Sequence, residues 1–271
     1  MGCKVVYGVK NLKTHCKITL VERKEKNKIK RYVHLGTGNY NDSTAKIYTD
    51  CGILSCRDSL GEDAAVVFKM LTGLIEPKRW NKLICAPIWM KKKFLTLIDR
   101  EIQNVRRGRK GMIVAKMNAL VDKTMIEGVY KASMAGVKVH LIVRGICCLK
   151  TGIPGVSENI TVESLVGTFL EHCRIYYFYN GGKEELYMGS ADWMPRNLDK
   201  RVEIIFPLED PEMKKKAKHI LDTQMADNKK AYFMLDDGSY RKRNKKGDKL
   251  ISAQEQFCEE AIEAAKKMND S

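Results

Sequence analysis

The feature that most restricts the fold of this chain is an internal repeat, in which two distant stretches share one residue pattern. NLKTHCKITLV at 11–21 aligns with TFLEHCRIYYF at 168–178. In this alignment His15 matches His172, and each histidine is followed by a cysteine and a basic residue. Because a repeat of this kind indicates that one structural unit occurs twice, we expect two related half-domains.

The repeat continues downstream with a glycine turn and an acid. GTGN at 36–39 aligns with GSAD at 189–192. Asp50 and Glu203 each come fourteen residues after the leading glycine of their copy, and we expect each acid to lie in an apolar strand. A single His-x-basic motif carries little weight, whereas two copies with matching turns and acids indicate a shared function.

These residue types suit phosphoryl transfer. Residues i and i+2 of a strand face the same side, so His15 should project with Lys17, and His172 with Arg174. A neutral imidazole can attack phosphorus, and a neighbouring cation stabilises the charge that develops. A Gly-Ser/Thr turn brings donors close to phosphate oxygens, and an acid can hold a histidine in one tautomer. Two facing half-sites would supply a nucleophile and an acid/base partner.

Hydrophobic periodicity predicts strands that alternate with helices. The predicted helices are 62–71, 88–105, 121–135, 212–225 and 253–268. The predicted strands are 5–9, 17–21, 31–35, 111–118, 137–145, 174–179, 185–188 and 202–206. The strand–helix–strand unit at 111–145 favours a parallel α/β sheet. The basic stretch 22–31 is expected to be a solvated, hairpin-like connection, and the basic stretch 239–249 a mobile, solvated connector.

Composition restricts the partners and the location of the chain. Lys and Arg total 49 against 33 Asp and Glu, a formal charge of +16 that attracts polyanions. Aromatic residues make up only 8%, which argues against a single-strand-binding surface built on stacking. No run approaches the roughly 20 apolar residues of a membrane span. The start lacks a secretory pattern and the nine cysteines contain no CxxC pair, so we expect a cytoplasmic location.

Several longer segments resemble the motifs of known families. The His-x-basic repeat resembles the phospholipase D superfamily. The segments that resemble the C-terminal half of bacterial polyphosphate kinases are KTHCKITLV, YVHLGTGNYNDSTAKIYTD, LIVRGICCLK, GIPGVSENI, FLEHCRIYYFYNGG and SADWMPRNLDKRVE. This resemblance covers roughly residues 4–235. It implies the reversible reaction in which ATP extends inorganic polyphosphate and releases ADP.

The resemblance also implies roles for individual residues. His15 would be the phosphorylated nucleophile, and His34, in the second motif, would support it. Tyr48, Arg144 and His172 match nucleotide-binding positions, and His172 would also donate a proton to the leaving group. The candidate contacts for phosphate and polyphosphate are Lys17, Arg174, Asn39, Ser190, Arg196 and Arg201. The acids of the two repeats would support the histidines.

The expected architecture is α/β, with two phospholipase D-like sandwich domains whose mixed sheets are flanked by helices. Residues 1–85 would form the remainder of the first domain, which is N-terminally truncated because no strand–helix–strand unit precedes His15. Residues 86–271 would form the second domain with a basic C-terminal tail. The active site would lie at their junction.

The resemblance implies Mg²⁺ as the cofactor for the phosphates, with its ligands upstream of this chain and none within it. The implied partners are ATP or ADP and inorganic polyphosphate, and the full-length family is expected to form homo-oligomers. Neither a specific nucleic acid nor peripheral membrane association is indicated.

Two alternatives remain open at this point. A phosphodiesterase or nuclease of the same superfamily would cleave a diester through a phosphohistidine and would need neither ADP nor magnesium. A non-enzymatic fragment would bind polyphosphate or nucleic acid by charge alone, so its binding would fall with salt and survive His15→Ala. A P-loop enzyme is disfavoured, because GTGNYND lacks the Gly-Lys-Ser/Thr ending.

Overall fold

A computed structural model describes residues 2–75, 77–244, 247 and 249–269 of the chain. Within these ranges the strands form one large mixed sheet and two small sheets, and helices cover both faces of the large one. The α/β class predicted from the sequence is confirmed. No helix of the described ranges is long and apolar enough to cross a bilayer.

Strands and helices alternate along most of the chain. The strands are β1 (Lys13–Thr14), β2 (Lys17–Glu25), β3 (Lys28–Gly36), β4 (Tyr48–Thr49), β5 (Gly52–Ser55), β6 (Ile84–Ala86), β7 (Met112–Met117), β8 (Lys138–Val143), β9 (Ile160–Leu165), β10 (Leu170–Glu171), β11 (Arg174–Phe178), β12 (Glu185–Gly189), β13 (Arg201–Leu208), β14 (Ala231–Met234) and β15 (Tyr240–Lys242). The helices are α1 (Asp42–Ala45), α2 (Asp58–Leu71), α3 (Met90–Arg106), α4 (Lys123–Met134), α5 (Pro195–Asp199), α6 (Pro211–Ala226) and α7 (Ala253–Asn269), with a 3₁₀ turn at Asn180–Gly182.

The large sheet has the strand order β1-β13-β12-β11-β7-β8-β9-β14-β15, and β6 also pairs with β13. Its centre, β7-β8-β9, is parallel, whereas β11, β12 and β13 pair antiparallel. Helix α4 connects β7 to β8, which is the kind of crossover that parallel neighbours need. The predicted strand–helix–strand unit is therefore present, as the parallel centre of a mixed sheet.

Each face of the large sheet carries a hydrophobic core. One core packs the sheet on α3 and α4, and the rings of Phe94, Tyr176 and Trp193 meet in it at centroid distances of 4.6 to 5.5 Å. The other core packs the sheet on α2, α6 and the small β2-β3-β5 sheet, with Leu35 and Ile204 fully buried there. The N-terminal part of the chain thus shares a core with the strands of the second repeat.

The strand predicted at 5–9 is wrong. No strand is described between residues 2 and 12, and the side chains of Val5 and Tyr7 are 69% and 98% exposed. An apolar run forms a strand only where a partner strand supplies backbone hydrogen-bonding groups. This segment pairs with no strand of the described residues.

Three other expectations also need correction. The basic stretch 22–31 is hairpin-like and mostly exposed, as predicted, but it consists of the paired outer ends of β2 and β3 rather than a loop between shorter strands. It turns at Lys26 and Asn27, which both have positive φ as the tight hairpin turn requires. Asp50 lies between β4 and β5 rather than in a strand. The stretch 239–249 contains β15, while residues 245, 246 and 248 lie outside the described residues.

Candidate active site

Each repeat histidine lies between two strands that pair with different neighbours: His15 between β1 and β2, and His172 between β10 and β11. The segment before His15 is β1, which runs parallel to the start of β13. The amides of His15 and Cys16 both donate to the carbonyl of Val202, at 2.9 and 3.0 Å, and β2 begins at the next residue. Two successive amides on one carbonyl form a β-bulge, which bends the strand and redirects its side chains.

The second copy repeats this geometry. The segment before His172 is β10, which runs parallel to β4. The amides of His172 and Cys173 both donate to the carbonyl of Thr49, at 3.2 and 3.0 Å, and β11 begins at the next residue. In both copies the histidine segment therefore pairs with the acid-bearing segment of the other repeat.

This pairing exchanges the two acids between the repeats. The Nδ1 atom of His15 lies 2.9 Å from Oε2 and 2.8 Å from Oε1 of Glu203, which is fully buried. The Nδ1 atom of His172 lies 2.8 and 3.0 Å from the two carboxyl oxygens of Asp50. Because each carboxylate accepts a hydrogen bond from the Nδ1–H group, the lone pair of each neutral ring lies on Nε2.

The hydroxyl of each glycine turn donates to the acid of its own repeat. Thr37 Oγ1 lies 2.6 Å from Asp50 Oδ1, and Ser190 Oγ donates to Glu203. Asn197 Nδ2 adds a third donor to Glu203, at 2.6 Å. A buried carboxylate with three donors is well satisfied. The hydroxyl of Ser190 is thus occupied by Glu203, and this geometry gives no support to its predicted contact with phosphate.

The glycines of the turns allow the acid-bearing segments to come close. A Cβ atom on Gly189 would lie 2.2 Å from the carbonyl oxygen of Ile204 on β13. A Cβ atom on Gly38 would lie 2.5 Å from the carboxyl group of Asp50. Residues with side chains at these positions would separate the turn from the acid.

The basic residues of the two motifs fold back over their histidines. Lys17 Nζ donates to the carbonyl of His15 at 2.5 Å, and Arg174 NH1 donates to the carbonyl of His172 at 2.7 Å. Both side chains are buried, and burial lowers the pKa of Lys17 to about 8, although Glu203 raises it. Burial also lowers the pKa of His172, and the charges of Arg174 and Lys17 lower it further. The hydrogen bond and charge of Asp50 raise this pKa but do not outweigh the other effects. The charge of Lys17 therefore acts across the two half-sites.

The two histidines differ at their Nε2 atoms. Arg174 NH1 lies 3.1 Å from Nε2 of His172 and blocks its lone pair. No hydrogen-bond partner of Nε2 of His15 is found in the part of the chain that the structure describes, and the His15 side chain is 19% exposed. Chemically, His15 presents an open, oriented lone pair, whereas His172 is held neutral and capped.

A polar network links the second half-site to the end of β8. Asp192 accepts two hydrogen bonds from Arg174, both at 3.1 Å, and one at 2.7 Å from the amide of Asn118. Asn118 Nδ2 donates to the carbonyl of His172 at 3.1 Å, and its Oδ1 accepts from Arg144 Nε at 2.8 Å. Arg144 thus lies at the carboxyl end of the parallel strands, where ligands bind in open α/β sheets.

The remaining predicted residues lie around this centre. The ring of Tyr48 lies 4.8 Å from the ring of His172, centroid to centroid. The side chain of Asn39 is exposed beside its turn. Arg196 in α5 is exposed and Arg201 at the start of β13 is half-buried, and neither forms an ion pair with a described residue.

His34 lies apart from the two histidine–acid pairs. Its Nδ1 atom lies 2.7 Å from the hydroxyl of Tyr40. Its ring packs closely on Gly52, where an added Cβ atom would lie only 2.5 Å from Nε2. Among the described residues it forms no hydrogen bond with either of the other two histidines. These contacts fix the His34 ring in the hairpin, and its supporting role in catalysis stays a prediction.

Sequence reasoning missed Asn118 and Asn197. Both are at least 90% buried, and both connect groups that lie far apart in the sequence. Asn118 is the last residue of the predicted strand 111–118, and the carboxyl end of a strand in a parallel sheet is where ligand groups are expected, so its position could have indicated it. Asn197 has no counterpart in the repeat, so no sequence signal indicated it.

The residues present do not form a magnesium site. In the described ranges no group of three or more His, Cys, Asp and Glu side chains is arranged to hold a metal. The acids nearest the histidines are occupied: Glu203 by three donors, Asp50 by His172 and a turn hydroxyl, and Asp192 by Arg174.

Comparison with known protein families identifies two matching regions. Residues 1–77 match the family model described as polyphosphate kinase C-terminal domain 1. Residues 83–254 match the model described as polyphosphate kinase C-terminal domain 2.

Similar proteins carry the same description. A polyphosphate kinase of Synechocystis is 50% identical over 262 residues, which are 96% of this chain and 36% of that protein. A polyphosphate kinase of Bacillus anthracis is 54% identical over 239 residues, which are 88% of this chain and 34% of that protein. The chain thus spans about a third of the length of these relatives.

A solved structure shares the fold. The crystal structure of polyphosphate kinase from Porphyromonas gingivalis superimposes with a TM-score of 0.87 at 38% sequence identity. The match covers 94% of this chain and 40% of that one.

Proposed function

Because this chain belongs to the polyphosphate kinase family, we propose that it transfers a phosphoryl group between ATP and inorganic polyphosphate through His15. The observation that carries the proposal is the open Nε2 atom of His15, whose Nδ1 is fixed by the buried Glu203. A lone pair oriented in this way is what attack on phosphorus requires.

The proposed reaction has two displacements. Nε2 of His15 attacks the γ-phosphorus of ATP, an N–P bond forms, and the bond to the β,γ-bridging oxygen breaks to release ADP. A terminal oxygen of polyphosphate then attacks the same phosphorus, the N–P bond breaks, and a chain longer by one unit leaves. Glu203 keeps its hydrogen bond to Nδ1 throughout and stabilises the positive charge that the ring gains. The reverse sequence makes ATP from ADP.

The cations around the histidines favour the charge that develops on the transferred group. Lys17 uses one donor on the His15 carbonyl, and the other two remain for phosphate oxygens. Arg174 is fixed by Asp192, so its charge is preorganised. We assign Arg196 and Arg201 to the phosphate chain, since neither makes an ion pair in the described part of the chain, and Asn39, whose exposed amide can donate to phosphate oxygens.

The nucleotide side of the site is assigned to Tyr48, Arg144 and His172. They are connected by the Tyr48–His172 ring contact and by the Asn118 bridge from His172 to Arg144. The geometry favours a neutral His172 that positions Arg174. Donation of a proton to the leaving group would need a second proton on Nε2 and displacement of Arg174.

We also propose the cofactor, the assembly and the location that this activity requires. Magnesium would neutralise charge on the substrate phosphates and would enter with them, since the described residues offer no site of their own. The longer relatives are expected to supply further nucleotide and metal contacts and to form homo-oligomers. The nine free cysteines support a reducing, cytoplasmic setting.

The direct test is ATP formation from ADP, long-chain polyphosphate and magnesium, read by luminescence. His15→Ala should abolish the signal. His219→Ala is the matched control, because His219 lies on the surface of α6 and pairs with Glu260, and it should keep the wild-type rate. Equal signals from wild type and His15→Ala would overturn the role of His15. Hydrolysis of a phosphodiester without ADP would instead favour the phosphodiesterase alternative.

A further inference from the structure

We propose that the chain holds a second, distal stretch of polyphosphate in a basic cleft beside α3, at the far end of the catalytic strands. This inference rests on the proposed function, because polyphosphate is the ligand that it names. The cleft has a volume of about 730 Å³, which is in the size range of ligand sites. It lies between α3, the segment 78–84 and the ends of β12 and β13.

The cleft is separate from the histidine pair. Glu203, which holds His15, lies near the start of β13, whereas the cleft is lined by Pro207, Leu208 and Glu209 at its end. Five residues of strand separate Glu203 from Leu208, a distance of about 16 Å. One phosphate group therefore cannot occupy both places, but a polymer can.

The charge of the cleft is strongly unbalanced. Seven cationic side chains line it against the two carboxylates Glu185 and Glu209. Those carboxylates pair with Arg100 and Lys82, at 2.7 and 2.5 Å. The cations that form no ion pair with a described carboxylate are Lys78, Arg79, Lys92, Lys93 and Lys214. An uncompensated set of this size in one concavity focuses positive potential and attracts a polyanion.

One polar face of α3 runs along the cleft and suits a linear ligand. Lys92, Thr96 and Arg100 recur every four residues on α3 and form a stripe about 12 Å long. A second depression, lined by Lys91 and Asp199, shares Lys92 and Thr96 with the cleft. Asp199 ends α5 just before β13 begins, so this depression lies nearer the catalytic end of the strands. It is close to neutral, because Lys91 pairs with Asp199 and Asp99 also lines it, so the uncompensated charge is concentrated in the distal cleft.

Polyphosphate fits the cleft better than a nucleotide does. Among the polar side chains of the lining, Asn81 donates to Glu62 and Thr96 donates to the carbonyl of Lys92, while the indole nitrogens of the half-buried Trp80 and Trp89 are buried without a partner among the described residues. The ring of Tyr187 is buried and covered by Lys93 at 5.9 Å, so it offers no open stacking face. Recognition therefore depends on charge, and each internal unit of polyphosphate carries one negative charge.

The test compares two double variants of equal charge. Lys92→Gln with Lys93→Gln changes the cleft, and Lys266→Gln with Lys267→Gln changes adjacent exposed lysines on α7 as a matched control. Binding of fluorescent long-chain polyphosphate and of tripolyphosphate is measured by anisotropy at fixed salt and without ADP, so the result does not depend on kinase activity. The cleft variant should bind the long chain about five- to tenfold more weakly, with tripolyphosphate unchanged and the control within about twofold.

Other outcomes would overturn the proposal. Equal loss in both variants would mean diffuse attraction, and no loss in either would mean that the cleft is not a site. An RNA oligomer that binds as tightly and loses the same factor in the cleft variant would make the cleft a general polyanion site. On the unmodified chain, polyphosphate should protect Lys92 and Lys93 from acylation but not Lys266 and Lys267. Absence of that protection would also contradict the proposal.

Discussion

His15 and His172 carry the same ring, the same type of acid partner and the same following cysteine, yet their Nε2 atoms differ. Arg174 caps Nε2 of His172, while Lys17, the matching residue in the first repeat, bonds only to the carbonyl of His15. A guanidinium reaches both the ring and the carbonyl from one side chain, whereas an ammonium acts as a point charge. The change from Lys to Arg between the repeats therefore favours the first copy as the proposed nucleophile.

Glu203→Gln should lower the rate of ATP formation by about 10- to 100-fold, as loss of a partner that orients a histidine commonly does. The amide can still accept from Nδ1, but it cannot stabilise the charge that the ring gains. Glu260→Gln, which removes the acid from the surface pair with His219, serves as the control and should leave the rate unchanged. A rate equal to wild type in Glu203→Gln would contradict the assignment.

Lys17 should impose an alkaline limit on the reaction. Burial lowers its pKa to about 8, so kcat/KM should fall as the pH rises through that value and the charge is lost. Lys17→Gln has no charge to lose, so its kcat/KM should be lower than wild type at every pH and should show no fall near pH 8. The folded-state pKa lies below the unfolded value, so the unfolded chain binds more protons between the two. The free energy of unfolding should therefore increase as the pH rises from about 8 towards 10.5. A pH profile that is identical in wild type and variant would exclude Lys17 as the titrating group.

Among the elements, the two-residue strands decide the geometry of the site. β1 and β10 each pair with the acid-bearing segment of the other repeat, and the bulge that follows directs the histidine to that acid. The sequence repeat predicted the acids and the histidines. It could not predict the exchange, because an alignment of two copies says nothing about which copy pairs with which. Strands of two residues carry no periodicity, so hydrophobic patterning could not find them either.

The ion pair of Arg174 and Asp192 should be a strong structural contact between β11 and the turn after β12. Burial raises the pKa of Asp192, but Arg174 outweighs this and holds it below the ordinary value. Asp192→Ala leaves a buried guanidinium unpaired and should lower the free energy of unfolding by about 3–5 kcal/mol. Asp199→Ala, which breaks a half-exposed pair with Lys91, should cost no more than about 1 kcal/mol. Urea denaturation measures both, and equal losses would show that burial is not the cause.

At the scale of the whole molecule, the two family-matched regions do not form separate cores. Leu35 and Val67 from the first region pack in one buried cluster with Ile175, Ile204 and Phe206 from the second. Hydrophobic patterning predicted most elements of this core and the α/β class. It did not predict the shared core. Periodicity shows that an element has an apolar face, but it does not show which other element packs against that face.

The two regions should therefore unfold together. All three tryptophans lie outside residues 1–77, so their fluorescence reports on the second region, and thiol labelling of Cys16 and Cys51 reports on the first. A shared core predicts that the two probes have the same urea midpoint, as a two-state transition requires. Two separated midpoints would show that the first region unfolds independently.

The role of His15 as nucleophile is tested most sharply by locating the phosphate after the chain is mixed with ATP and magnesium. Peptide mass spectrometry under alkaline conditions preserves phosphohistidine and identifies the modified residue. We expect phosphate on His15, none on His172, and strongly reduced labelling in Glu203→Gln. Phosphate on His172, or ATP formation without any phosphate on His15, would contradict it.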